Sequence, residues 1–149
     1  MLRFLPTIMK IASTILVAMI GSVAANLVLL FCLRPLVINP AMPLPMLAAA
    51  PVTIFTIGGV LAATAVYALM RRFLAQPNRP FVALSVVVLI LSFIPDCLIV
   101  GNTTRPQFAG ANWGCALVLM LTHVAVAVIV VWTLTTRWGS RSHNKVTAF

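Results

Sequence analysis

The chain has 149 residues, of which 62% are hydrophobic and 7% charged, and its mean hydropathy is +1.14. Soluble domains are about 45–50% apolar and about 25% charged, so composition excludes a soluble globular fold. The net charge of +9 does not point to nucleic acid, because the ten Lys and Arg are dispersed to the ends of apolar runs. There such side chains anchor helices at lipid headgroups.

The first apolar run, Ile11 to Leu33, contains no charge and lies between Lys10 and Arg34. About 20 residues at 1.5 Å each cross about 30 Å of hydrocarbon, so this run predicts a membrane span. Val23-Ala24-Ala25 resembles a signal cleavage site, but the apolar run continues through Leu27 to Phe31. That exceeds a signal h-region and predicts an uncleaved anchor. Asn26 sits late in the span, on a side shared with the small residues Ala18, Ser22 and Ala25. Such seams let membrane helices approach closely.

The segment from Arg34 to Ala50 carries Pro35, Pro40, Pro43 and Pro45 among otherwise apolar residues. Its prolines oppose a regular helix and its side chains oppose full solvation. It is expected to lie on the bilayer interface or pack on the helix ends, with a lid over a pocket as the alternative. A second span is placed from Pro51, since proline is tolerated in a first turn, to Met70, ahead of Arg71 and Arg72. It supplies Thr53 and Thr56, with Gly59 and Ala63 at small-xxx-small spacing.

The third span runs from Phe81 to Gly101, just after Arg79-Pro80. Ser85, Ser92 and Asp96 fall at i, i+7 and i+11, within about 40° of one another on a helix. Asp96 is the only acid in the chain. Within a span a carboxylate costs roughly 2.5–3.5 kcal/mol on insertion scales, so it needs a partner or a task. Pro95 beside it removes a backbone donor and leaves the Leu91 carbonyl without its helical partner. After a more polar loop from Asn102 to Trp113, the fourth span runs from Gly114 to Thr136 and stops at Arg137, with Thr122 and His123 inside it.

These elements predict an all-α fold: a four-transmembrane-helix bundle in a single membrane domain over residues 1–149, with a tail at 137–149. Arg3, Lys10, Arg71, Arg72, Arg79, Arg137, Arg141 and Lys145 fall on one side, and Arg34 and Arg105 on the other. The positive-inside rule then predicts that both termini and the tail are cytoplasmic. On that orientation Asp96 lies roughly 7 Å below the outer end of its span, Asn26 roughly 10 Å, and His123 and Ser92 roughly 14–15 Å.

Depth therefore groups Asn26, Thr56, Ser92, Asp96 and His123 as one candidate polar cluster within the membrane. Two roles compete for it. Polar side chains bind membrane helices together at about 0.6 kcal/mol per contact, and Asp96 has Arg34 and Arg105 on its side as candidate ion-pair partners, making a clasp. Alternatively the cluster forms a pocket for a proton, ion or small ligand. No metal site, cofactor or catalytic constellation is predicted, since no span holds a second histidine and no Cys-x-x-Cys is present. Cys32, Cys97 and Cys115 read as small apolar residues, with a pairwise disulfide as the alternative.

With these residues assembled, the chain resembles a family of small bacterial four-helix membrane proteins known only as a domain of unknown function. The similarity rests on Asn26, on Asn78-Arg79-Pro80-Phe81, on Leu91-Ser92-Phe93-Ile94-Pro95 and on Leu119-Met120-Leu121-Thr122-His123. It implies a bacterial plasma-membrane location and the four-helix topology, and brings no substrate, cofactor or catalytic residue. Three functions are carried forward. The first is a non-enzymatic protein embedded in the lipid bilayer, self-associating as a homo-oligomer or accessory to other membrane subunits. The second is a small proton-coupled carrier using Asp96 and His123. The third is a membrane enzyme acting on lipid or quinone.

Overall fold

The computed structural model describes residues 5–37, 45–105 and 108–138, and among these the chain is helical with no strand. Four long helices are present: α1 (Leu5–Val37), α2 (Ala49–Phe73), α3 (Asn78–Gly101) and α4 (Trp113–Thr133). Each supplies most or all of a segment long and apolar enough to cross a membrane. A 3₁₀ turn, Pro45–Leu47, leads into α2, and α4 continues as a π-helical segment, Leu134–Trp138.

The helices outrun the apolar stretches that predict them. α1 passes Arg34 and Pro35 to reach Val37. Pro35 lies in its last turn, where it leaves the Phe31 carbonyl without its helical donor but only two residues of helix follow. α2 begins at Ala49, so Pro51 occupies the first turn, whose amides have no intrahelical partner. α3 runs unbroken through Pro95, which faces outward. The proline-rich segment is thus shorter than its sequence suggests. Residues 38–44 lie outside the described part, and Leu47 beyond them is fully buried, packed with Leu30, Val52, Ile99, Cys115, Val118 and Leu119. Of the tail, only Arg137 and Trp138 are described, in the π-helical segment.

Burial patterns explain the packing. α1 buries Thr14, Ala18, Ser22, Asn26 and Leu30, every fourth residue, and α2 buries Val52, Thr56, Val60 and Thr64 in the same rhythm before Tyr67. Rows at i±4 form the ridges that interlock between helices. α1 packs against both α2 and α4, whereas α3 rests chiefly on α4. α2 and α3 meet near their shared turn, where the Tyr67 and Phe81 rings lie 4.8 Å apart, and make only isolated contacts elsewhere. A Cβ on Gly21 would sit in ordinary contact, 3.5 Å from Ile129 Cγ2, so α1 and α4 lie close together at this level. Lipid tails are as apolar as these side chains, so close packing and hydrogen bonds hold the bundle rather than exclusion from water.

Two apolar clusters result. One, at the loop end, is the Leu30–Leu47–Val118 group just described. The other, at the arginine-rich end, joins Ala18, Val60, Tyr67, Phe81, Val130 and Leu134. At the loop end an amide closes the structure. Asn112 caps α4 by accepting from the Cys115 N–H at 3.0 Å, while its Nδ2 donates to Val37 O of α1 at 2.9 Å. Glycine is required beside it, because a Cβ on Gly114 would fall 2.8 Å from Val37 Cγ1 and 3.0 Å from Asn112 Oδ1.

Candidate functional site

Between the two apolar clusters the helices carry a polar waist. The contacts of Val37 with Asn112 and of Gly21 with Ile129 fix an antiparallel register between α1 and α4. One step up α1 is one step back along α4, which puts Asn26 level with Val124 and beside His123. α2 joins the same level through Thr56, and α3 through Asp96.

Asn26 Nδ2 donates to Thr56 Oγ1 at 2.8 Å, and Thr56 Oγ1 donates to Val52 O at 2.7 Å. Because the threonine hydrogen goes to a carbonyl, its oxygen must accept, which fixes the Asn26 NH₂ toward α2. Asn26 Oδ1 then points elsewhere, buried and without a hydrogen-bond partner. One turn earlier Ser22 Oγ is also buried and unpartnered. Other hydroxyls of the spans fold back on their own helix: Thr14 to Lys10 O, Thr64 to Val60 O, Ser85 to Phe81 O and Thr122 to Leu119 O. That habit satisfies a hydroxyl where no water is present.

On α3 the residues turned toward α4 are Ser85, Leu89, Ser92, Asp96 and Ile99, alternating four and three apart, so the polar stripe faces the bundle. Only Phe81, Asp96 and Ile99 of this helix are buried. Asp96 Oδ2 lies 3.2 Å from His123 Nδ1, and the same nitrogen lies 2.8 Å from Leu119 O. A carbonyl can only accept, so Nδ1 carries hydrogen and directs it at Leu119 O. Asp96 Oδ2 stands beside that N–H without a hydrogen bond of its own. The partners differ in access: the aspartate side chain is 5% exposed and the imidazole 41%. With Nδ1 fixed, Nε2 is the nitrogen left to take up or release a proton.

The five candidate residues therefore do not form one cluster. Asn26 and Thr56 pair across α1 and α2, and Asp96 and His123 across α3 and α4; among the described residues no hydrogen bond or ion pair joins the two. Ser92 directs its hydroxyl to Leu89 O and belongs to neither. The expected clasp is also corrected. Asp96 meets His123, and among the described residues neither Arg34 nor Arg105 forms an ion pair with it. Arg105 is exposed in the turn beyond α3, and Arg34 ends a helix that packs on α2 and α4 instead of α3. Cys32 and Cys97 are exposed, Cys115 is buried, and all three are free. No group of three His, Cys, Asp or Glu side chains comes together among the described residues.

A second constellation escaped the sequence. At the arginine-rich end Tyr67 OH donates to Asn78 Oδ1 at 2.7 Å, and Arg71 Nη1 donates to Trp138 O at 2.5 Å. The Arg71 guanidinium lies 5.4 Å from the Trp138 ring centroid, and Tyr67 meets that ring edge-on at 5.6 Å. An Arg or Trp at the end of a span reads as a headgroup anchor, and nothing in its spacing reveals a partner 67 residues away.

Among known proteins, a family described as being of unknown function, DUF6069, matches residues 6–140. No curated protein and no solved structure matches the chain.

Proposed function

We propose that this chain, which belongs to the DUF6069 family and carries four helices of membrane-crossing length, acts as a self-associating unit or as the accessory subunit of a membrane complex. It works without a reaction of its own, in a bacterial plasma membrane with both termini in the cytoplasm. One observation carries the assembly. The glycines of α2 serve no contact among the described residues: a Cβ on Gly58 or Gly59 would meet nothing within 4 Å. Ala62 and Ala65 continue the same open surface. Glycines at membrane depth that touch nothing in their own protomer offer a second helix a close approach. Gly58→Leu with Gly59→Leu is expected to weaken association in nanodiscs by about tenfold, equivalent to ~1.4 kcal/mol, with the helical content unchanged. If the unmodified chain migrates as a lone monomer with no co-purifying protein in mild detergent, the assembly proposal fails.

The Asp96–His123 pair favours a second function, a proton-coupled carrier. A buried carboxylate 3.2 Å from a half-exposed imidazole can pass a proton between a covered and an accessible position. Asp96→Asn then abolishes proton-linked flux in liposomes while the protein still folds. Flux that survives Asp96→Asn combined with His123→Ala rules the carrier out.

A further inference from the structure

The contacts that tie α2, α3 and the π-helical end of α4 bring Arg71, Arg72, Arg79 and Arg137 to one end of the bundle. Arg71 is held by Trp138 through its carbonyl and its ring. Arg72 follows Arg71, Arg79 follows the Asn78 that Tyr67 grips, and Arg137 precedes Trp138. Arg72, Arg79 and Arg137 are exposed. The sole acid of the chain, Asp96, is 17 residues along α3 from Arg79 and so roughly 25 Å away. Among the described residues no acidic side chain offsets the patch. Beside it Leu69, Phe73 and Leu74 are 57%, 75% and 44% exposed.

We propose that this end is a binding surface for anionic phospholipid. Arg72, Arg79 and Arg137, with the free N–H groups of Arg71, hold the headgroup phosphate, and the acyl chains lie along Leu69 and Phe73. Guanidinium forks match phosphate oxygens in pairs, and basic residues at a membrane boundary are drawn to anionic headgroups. The apolar flank selects the occupant. A soluble polyanion would leave Phe73 and Leu74 facing water, whereas a lipid covers them and the arginines together. Arg71 is the fixed member, and the ring contacts of Tyr67, Phe81 and Trp138 hold the three helix ends at one spacing.

The test uses the full chain in nanodiscs of phosphatidylcholine with or without phosphatidylglycerol, followed by native mass spectrometry and thermal unfolding. The wild type is expected to retain phosphatidylglycerol over phosphatidylcholine and to unfold at a higher temperature in its presence. Arg72→Gln with Arg79→Gln and Arg137→Gln should reduce that preference on the order of a hundredfold, at about fivefold per arginine. The corresponding triple Lys variant, which keeps the charge, should retain most of it and controls for misfolding. Equal retention of the two lipids by the wild type overturns the proposal, as does unchanged preference in the triple Gln variant. Equal protection by soluble pyrophosphate in phosphatidylcholine discs also overturns it, since the surface would then be a site for a free anion.

Discussion

The two polar pairs at the waist stand at the same level but are built differently. Asn26 and Thr56 are neutral, both nearly fully buried, and linked in a chain that ends on the Val52 carbonyl. Asp96 and His123 are both ionisable, one buried and one half exposed, and the carboxylate oxygen nearest the ring receives no hydrogen. The difference separates joint from switch. A neutral hydrogen-bonded pair holds two helices together whatever the pH, whereas an acid beside an imidazole changes its attraction with each proton.

Removing one member of each pair tests this contrast most strongly. His123→Ala removes the partner of a buried carboxylate and should destabilise the fold by up to about 3 kcal/mol in nanodiscs at pH 5. An imidazolium attracts the carboxylate and a neutral imidazole does not, so the deficit should shrink as pH rises. Thermal unfolding across pH 5–8 measures it, and a deficit independent of pH would make the second pair a joint like the first. Gly114→Ala, away from both pairs, should cost about 1–3 kcal/mol by forcing Val37 and Asn112 apart. Because it leaves the waist chemistry alone, its effect should show no pH dependence between 5 and 8.

Smaller effects sharpen the comparison. Asn26→Leu removes one hydrogen bond but also an unpartnered buried oxygen, so its cost should stay below about 1.7 kcal/mol and be insensitive to pH. Combining Asn26→Leu with His123→Ala gives the finest test. Independent pairs should add within about 0.3–0.5 kcal/mol, and a larger coupling would mean that the waist behaves as one unit.

How much of this was legible follows from the physics of each feature. Four apolar runs bounded by arginines fix four helices, because a membrane leaves a backbone little choice. The stripe of Ser85, Ser92 and Asp96 could be placed on one face by counting residues, and it does face the bundle. Which helix receives it could not, since period gives a face and not a neighbour. Sidedness alone offers Asp96 the cations Arg34 and Arg105, while the packing of α3 on α4 delivers His123. Ser92 was misplaced for another reason: a helical hydroxyl has a carbonyl of its own within reach.

The amide of Asn112 has a consequence in time. Asn26 can meet Thr56 once α2 has entered the membrane, but Val37 O waits for a residue 75 positions later in the chain. At about 5–20 residues per second, ribosomal synthesis leaves the α4-facing side of α1 uncovered for roughly 4–15 s. Throughout that interval Gly21, whose neighbour on α4 is Ile129, leaves a shallow seam open to the bilayer. During biogenesis that seam is open to any neighbouring span, so insertion of this protein is a race between its own last helix and a stranger's.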